Sequence, residues 1–99
     1  MFVPLERLIN LNEGYRRTFQ VDGRSLLLLV VDNQPLLLVD SCPHKGAPLN
    51  TATLAGNVLR CQRHGIEFQL PDGLPLQASC PGLSMLKVVY EGDCIGIDV

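Results

Sequence analysis

Residues 42–64 read CPHKGAPLNTATLAGNVLRCQRH, and this stretch contains both histidines of the 99-residue chain. It begins with a Cys-x-His unit, Cys42 and His44, and ends with a Cys-x-x-His unit, Cys61 and His64; sixteen residues separate His44 from Cys61. Each unit offers one thiolate and one imidazole, and both groups are metal ligands. Proline and glycine next to the two units favour loops over regular structure. The stretch therefore predicts a four-ligand metal site formed by two loops.

The residues before this stretch predict three antiparallel strands. Residues 15–21 alternate in polarity and end at Asp22-Gly23, a strong signal for a tight turn. Residues 25–31 predict a buried strand, because turns on both sides leave too little room for a helix despite the leucines. After a predicted turn over 32–35, residues 36–40 return. The simplest arrangement is a meander.

The residues after Asp40 predict loops and hairpins, and they contain no convincing long helix. The predicted segments are, in chain order, a loop over 41–50, a hairpin over 54–60, a loop over 61–75, a loop at Cys80-Pro81-Gly82 and a terminal hairpin over 85–99. Residues 5–11 fit either a strand or a helical turn. The sequence as a whole predicts a single all-β domain over residues 1–99.

Composition limits the classes of function. A mass of 10.9 kDa suits one domain, and 46% hydrophobic residues exclude disorder. A net charge of −2 and a pI near 5.5 argue against nucleic acid as a partner. The longest aliphatic run, Leu26–Val31, is far shorter than the roughly 20 residues of a membrane helix. The first residues lack the pattern of a signal peptide, so we expect a cytoplasmic location and no membrane partner.

In a reducing compartment the four cysteines are expected to serve a metal or the core rather than disulfides. Cys94 opens a terminal strand of alternating aliphatic residues, which predicts a small buried thiol. Cys80 precedes Pro81-Gly82 and is not needed as a ligand, because the two loops already supply four.

The order of the ligands discriminates between metals. Zinc fingers usually pair cysteine with cysteine and histidine with histidine, whereas both units here are mixed. If each loop gives one ligand of each kind, Cys42 and Cys61 can hold one iron while His44 and His64 hold the other. That is the arrangement of a Rieske [2Fe–2S] centre. Zinc bound by the same four residues remains an alternative.

The motif and its surroundings closely resemble Rieske-type ferredoxins, and the later Pro71-Asp72-Gly73 matches a turn usual in that family. The resemblance covers essentially the whole chain. It implies an antiparallel β sandwich with a small cluster-binding subdomain formed by two loops, about 41–50 and 61–75. It also implies one [2Fe–2S] cluster held by Cys42, His44, Cys61 and His64, with no catalytic residue.

The function implied by the resemblance is one-electron transfer. Rieske irons are coordinatively full, and the chain has no further histidines for the mononuclear iron site of an oxygenase. We therefore expect a monomeric carrier, not an enzyme, that takes electrons from a flavin-dependent reductase and gives them to a terminal oxygenase. Two alternatives remain open: a small Rieske-like subunit of an assimilatory nitrite reductase, bound to the large subunit, and a zinc-stapled interaction module.

Residues near the ligands predict further properties. Lys45, Arg60 and Arg63 would form a positive rim beside the histidine-held iron. High-potential Rieske proteins carry a disulfide at the positions that resemble Ala47 and Arg63. They also carry serine and tyrosine hydroxyls where this chain has Ile66 and Phe68. Without those groups, the resemblance implies a midpoint potential in the lower part of the Rieske range.

Overall fold

Short antiparallel strands make up nearly all the regular structure of the computed structural model, which describes residues 1–43, 46, 48–62, 65–76 and 80–99. The strands are β1 (Phe2–Arg7), β2 (Arg16–Val21), β3 (Arg24–Val31), β4 (Gln34–Val39), β5 (Thr53–Ala55), β6 (Val58–Arg60), β7 (Glu67–Gln69), β8 (Leu74–Pro75), β9 (Met85–Leu86), β10 (Val89–Glu91) and β11 (Cys94–Asp98). A short 3₁₀ helix spans Leu8–Asn10. Sheet A has the strand order β1-β11-β10, sheet B the order β2-β3-β4-β9 and sheet C the order β5-β6-β7-β8.

Strand β3 is buried on both faces, and this explains its unbroken aliphatic run. Leu27 and Leu29 face a hydrophobic cluster shared with sheet C, whereas Leu26 and Leu28 face a second cluster shared with sheet A. Successive side chains of a strand point to opposite faces, so a strand covered on both faces needs apolar residues at every position. The predicted buried strand is confirmed.

The predicted meander β2-β3-β4 is also confirmed, with tight turns at both ends of β3. Asp22 and Gly23 have φ values of 51° and 76°, and Asp32 and Asn33 have values of 53° and 60°. Two consecutive residues with positive φ form the tight turn that matches the twist of antiparallel strands. The second turn is shorter than predicted, because Asp32 and Asn33 suffice to reverse the chain and Pro35 lies within β4.

Two predicted segments need correction, and one alternative that the sequence left open is resolved. Residues 61–75, predicted as one loop, contain β7 and β8, which pair with each other and extend sheet C. Residues 85–90, predicted as one strand, are split between β9, which pairs with β4, and β10, which pairs with β11. Residues 5–11 contain both candidate structures, the end of β1 and the 3₁₀ helix.

Sheet B lies between the other two sheets. Sheet A covers one face through Ile95 and Ile97, and sheet C covers the other face through Leu59 and Phe68. The fold class is therefore an all-β antiparallel sandwich with a smaller subdomain around sheet C, as predicted. No helix among the described residues is long and apolar enough to span a membrane.

Candidate metal centre

The first candidate loop leaves sheet B directly after β4. Cys42 is 1% exposed, and its carbonyl oxygen accepts a hydrogen bond of 2.6 Å from the backbone N–H of Gly46. Gly46 has a φ of 75°, in the left-handed region that glycine occupies without steric cost. We refer to this backbone hydrogen bond between a cysteine and a glycine four residues later as the cysteine-to-glycine turn.

The second candidate loop repeats this turn between β6 and β7. Cys61 is fully buried, and its carbonyl oxygen accepts a hydrogen bond of 2.8 Å from the N–H of Gly65, whose φ is 70°. The N–H of Cys61 also donates to the carbonyl of Ile66 at 2.8 Å, which continues the pairing of the flanking strands. The two loops thus share the same cysteine-to-glycine turn.

The fold brings the two cysteines predicted as ligands into one apolar environment. Cys42 and Cys61 belong to the same buried hydrophobic cluster of side chains, together with Leu49, Leu59 and Phe68. All four cysteines of the chain are described, and none of them forms a disulfide. Two buried thiols supplied by two matching turns fit a thiolate-held metal or iron–sulfur group, since soft sulfur ligands select such metals.

The remaining predicted ligands and several flanking residues lie outside the described residues. They are His44, Lys45, Ala47, Arg63 and His64. Each histidine nevertheless falls in sequence between the cysteine and the glycine of one turn, at 44 between 42 and 46 and at 64 between 61 and 65.

The two further cysteines differ in their surroundings. Cys80 is 7% exposed and belongs to the cluster that contains Cys42 and Cys61, so it lies on the side of the candidate site. Cys94 is only half-buried at the start of β11, so the prediction of a buried thiol is wrong. Its S–H donates to a carboxylate oxygen of Asp93 at 3.5 Å, and desolvation followed by that carboxylate raises the pKa of the Cys94 thiol.

Charged side chains also reach the two loops. Arg60 is exposed on β6, and its Nη2 lies 3.1 Å from the point that a Cβ on Gly65 would occupy, so its guanidinium covers the second turn. Asp40 and Arg16 reach the base of the first loop from sheet B. Sequence analysis did not single out these two, because no motif marks them. The only available signal was a carboxylate two positions before Cys42.

Comparison with known proteins agrees with this geometry. The family model for the Rieske [2Fe-2S] domain matches residues 1–88. Ferredoxin CarAc from Metapseudomonas resinovorans is 34% identical over 80 residues, which cover 79% of this chain and 75% of that protein. The chain belongs to the Rieske [2Fe–2S] domain family. Within that family it is a ferredoxin-type electron carrier rather than a catalytic subunit.

Solved structures match over nearly the full chain. The ferredoxin of Sphingomonas yanoikuyae B1 superposes with a TM-score of 0.85 at 21% identity and covers 100% of this chain and 99% of that chain, which supports the fold. A chain from a complex of reduced oxygenase and oxidised ferredoxin in carbazole 1,9a-dioxygenase gives a TM-score of 0.80 at 25% identity. That match covers 94% of this chain and 97% of the other.

Proposed function

We propose that this chain holds one [2Fe–2S] cluster through Cys42, His44, Cys61 and His64, and that it passes single electrons from a flavin-dependent reductase to a terminal oxygenase. The observation that carries the proposal is the pair of matching cysteine-to-glycine turns, whose two thiols lie in one buried cluster. A bound cluster of this type supplies a one-electron donor and acceptor with two thiolate and two imidazole ligands.

The chain's own residues give that group a dry and shaped environment. Leu49, Leu59 and Phe68 are fully buried beside the two cysteines, so water is excluded from the thiolate side. An apolar, low-dielectric shell is one of the means by which a protein sets solvent access and reduction potential. Each turn is closed by its own backbone hydrogen bond, which supports a site whose two cysteines are held by the fold itself.

The oxygenase as acceptor is supported by the relatives. One matched structure is a complex of oxygenase and ferredoxin in carbazole 1,9a-dioxygenase. The domain proposed here is the whole of residues 1–99, with one cluster-binding loop at about 41–50 and the other between β6 and β7. The reductase as donor follows from the resemblance to ferredoxins of such systems, and we expect the carrier to act in the cytoplasm.

Two measurements on protein purified without air test the proposal. Iron and acid-labile sulfide should be present in equal amounts. The dithionite-reduced protein should give a rhombic EPR signal whose average g value lies well below that of the free electron, as histidine ligation produces. Native protein that holds one zinc per chain and no iron would contradict the cluster and favour the interaction module.

Electron transfer is tested separately. Reduced protein is mixed anaerobically with the oxidised oxygenase component of a carbazole 1,9a-dioxygenase, and reoxidation is followed by visible absorbance. Reoxidation that is faster with the oxygenase than in buffer alone supports the carrier role. If the loaded protein fails with every Rieske oxygenase tested but copurifies with a nitrite reductase large subunit, the subunit alternative replaces it.

A further inference from the structure

The carboxylate of Asp40 closes the base of the first loop. Its Oδ1 accepts the backbone N–H of Leu49 at 2.6 Å, and its Oδ2 accepts the hydroxyl of Ser25 at 3.4 Å. The N–H of Asp40 itself donates to the carbonyl of Ser25 at 2.9 Å, which continues the pairing of β3 with β4. One half-buried side chain therefore ties the start of the loop, its end and sheet B together.

Arg16 binds the backbone shortly after Leu49 and reaches it from β2, at one edge of sheet B. Its Nη1 donates to the carbonyl of Ala52 at 2.6 Å and to the carbonyl of Asn50 at 3.2 Å. Arg16 lies on β2 opposite Leu29, so both side chains are on the face of sheet B that is turned toward the cluster-binding subdomain. Arg16 is half-buried and its hydrogen bond to Ala52 is partly buried, which protects that bond from competition by water.

The two charged side chains bind opposite kinds of backbone group in residues 49–52. Asp40 accepts an N–H, Arg16 donates to carbonyls, and such charge-assisted bonds are stronger than neutral ones. The residues they hold are in contact with the site. Leu49 is fully buried and Ala52 is 2% exposed, and both belong to the hydrophobic cluster that contains Cys42 and Cys61.

We propose that Asp40 and Arg16 are positioning residues that hold residues 49–52 in the packing around Cys42 and so slow the loss of the bound [2Fe–2S] cluster. The inference rests on the proposed function, because it concerns the cluster proposed there. Neither residue is proposed as a ligand. Each acts through the backbone of residues 49–52, and through Leu49 and Ala52 on the packing around Cys42.

The experiment compares variants of the loaded protein. Arg16→Met and Asp40→Ala remove the bonds, whereas Arg16→Lys and Asp40→Asn keep part of them. Arg17→Met is the matched control, since Arg17 is the next residue on β2 and lies on the opposite face, 3.7 Å from a carboxylate oxygen of Glu6. The rate of anaerobic iron release to a ferrous chelator is measured well below the unfolding temperature, alongside the EPR spectrum and the midpoint potential.

We expect release to be about tenfold faster or more in Arg16→Met and Asp40→Ala, in the range seen when outer partners of metal ligands are removed. Arg16→Lys and Asp40→Asn should be intermediate, and Arg17→Met should equal the parent. The EPR lines of the two disruptive variants should broaden, because the first loop samples more arrangements. The conservative variants keep the test decisive if Asp40→Ala fails to fold.

Other outcomes would overturn the inference. A purely electrostatic influence would shift the midpoint potential upward in Asp40→Asn and downward in Arg16→Met and leave release unchanged. A purely structural role would lower the unfolding temperature without changing release or EPR line width. A parent protein that contains no iron would defeat the proposed function itself, whereas a loaded parent whose variants release iron at the parent's rate would defeat only the positioning role.

Discussion

The two candidate loops have the same local turn but different supports. In each, the carbonyl of a buried cysteine accepts the N–H of a glycine four residues later. The second loop connects β6 to β7 within sheet C, and the Cys61–Ile66 hydrogen bond extends the backbone ladder up to the turn. The first loop connects β4 of sheet B to β5 of sheet C, so no shared ladder flanks it.

Side chains replace the missing ladder in the first loop. Asp40 and Arg16 bind the backbone of residues 49–52, where the second loop has strand pairing. The difference shows that one cysteine-glycine turn can be built on either kind of support. It also predicts that the first loop depends on residues distant in sequence, whereas the second depends on its own hairpin.

The largest expected effect is the same for both loops. Cys42→Ser and Cys61→Ser should each reduce iron from about two per chain to nearly none, because each removes a thiolate that the cluster requires. Cys94→Ser is the matched control, since Cys94 is half-buried at the start of β11 in sheet A, outside the hydrophobic cluster of Cys42 and Cys61, and should leave iron content unchanged. Iron analysis and visible spectra decide; a loaded Cys42→Ser protein would contradict the ligand assignment.

Substitution of the turn glycines should distinguish the loops. Gly46→Ala and Gly65→Ala both place a Cβ at positive φ, which costs roughly 1–2 kcal/mol of unfolding free energy. Among the described residues, the new methyl group at Gly46 meets only Ser41 Oγ at 3.8 Å, whereas at Gly65 it meets Arg60 Nη2 at 3.1 Å and must displace the guanidinium. The Gly65 variant should therefore be the less stable in urea unfolding.

The control for backbone strain alone is Gly92→Ala. Gly92 has a φ of 61° and open space around its Cβ position, in the turn that precedes β11. A Gly65 variant no less stable than the Gly92 variant would show that Arg60 moves aside without cost.

The second loop should be the one through which the potential can be tuned. Phe68 is fully buried in the hydrophobic cluster that contains both cysteines, and Ile66 packs against that hydrophobic cluster. Ile66→Ser with Phe68→Tyr would supply two hydroxyl donors. A hydrogen bond to a charged acceptor contributes about 1.5–3 kcal/mol, so part of that energy could raise the midpoint potential by on the order of 100 mV. Protein-film voltammetry measures the shift; an unchanged potential would mean that the hydroxyls do not reach sulfur.

The smallest expected effect concerns a side-chain tie outside both loops. Glu6 of β1 accepts hydrogen bonds from Asn10, from the hydroxyl of Tyr15 and from the N–H of Arg7, and these lower the pKa of its carboxyl to about 2. The carboxylate therefore stabilises the fold above its unfolded pKa of about 4.5, and the contribution is lost as the pH falls toward 2.

Glu6→Gln should accordingly be less stable than the parent at neutral pH, and the difference should shrink between about pH 4.5 and pH 2. Urea unfolding at several pH values measures it. The rate of iron release should match the parent, in contrast to Arg16→Met, because the hydrogen bonds of Glu6 come from Arg7, Asn10 and Tyr15 and not from the described residues of the first loop. A difference that persists unchanged at pH 2 would show that the lowered pKa is not its source.

The sequence by itself determined the parts of this protein that depend on near neighbours. Asp22-Gly23 predicted a tight turn, and residues 25–31 predicted a buried strand. The spacing of Cys42 and Cys61 with their histidines pointed to the family. Turn geometry and alternating burial act over a few residues, so they can be derived without knowing the partner strands.

The tertiary structure alone decided which segments pair and which side chains meet. Nothing local showed that residues 85–90 divide between two sheets, or that residues 61–75 contain strands of sheet C. Cys80 is buried in the same hydrophobic cluster as Cys42 and Cys61 and Cys94 is not, although both are small thiols in the sequence. Arg16 reaches Ala52 across 36 positions of the chain. Such contacts depend on how the sheets stack, because sheet stacking brings together residues that no sequence spacing relates.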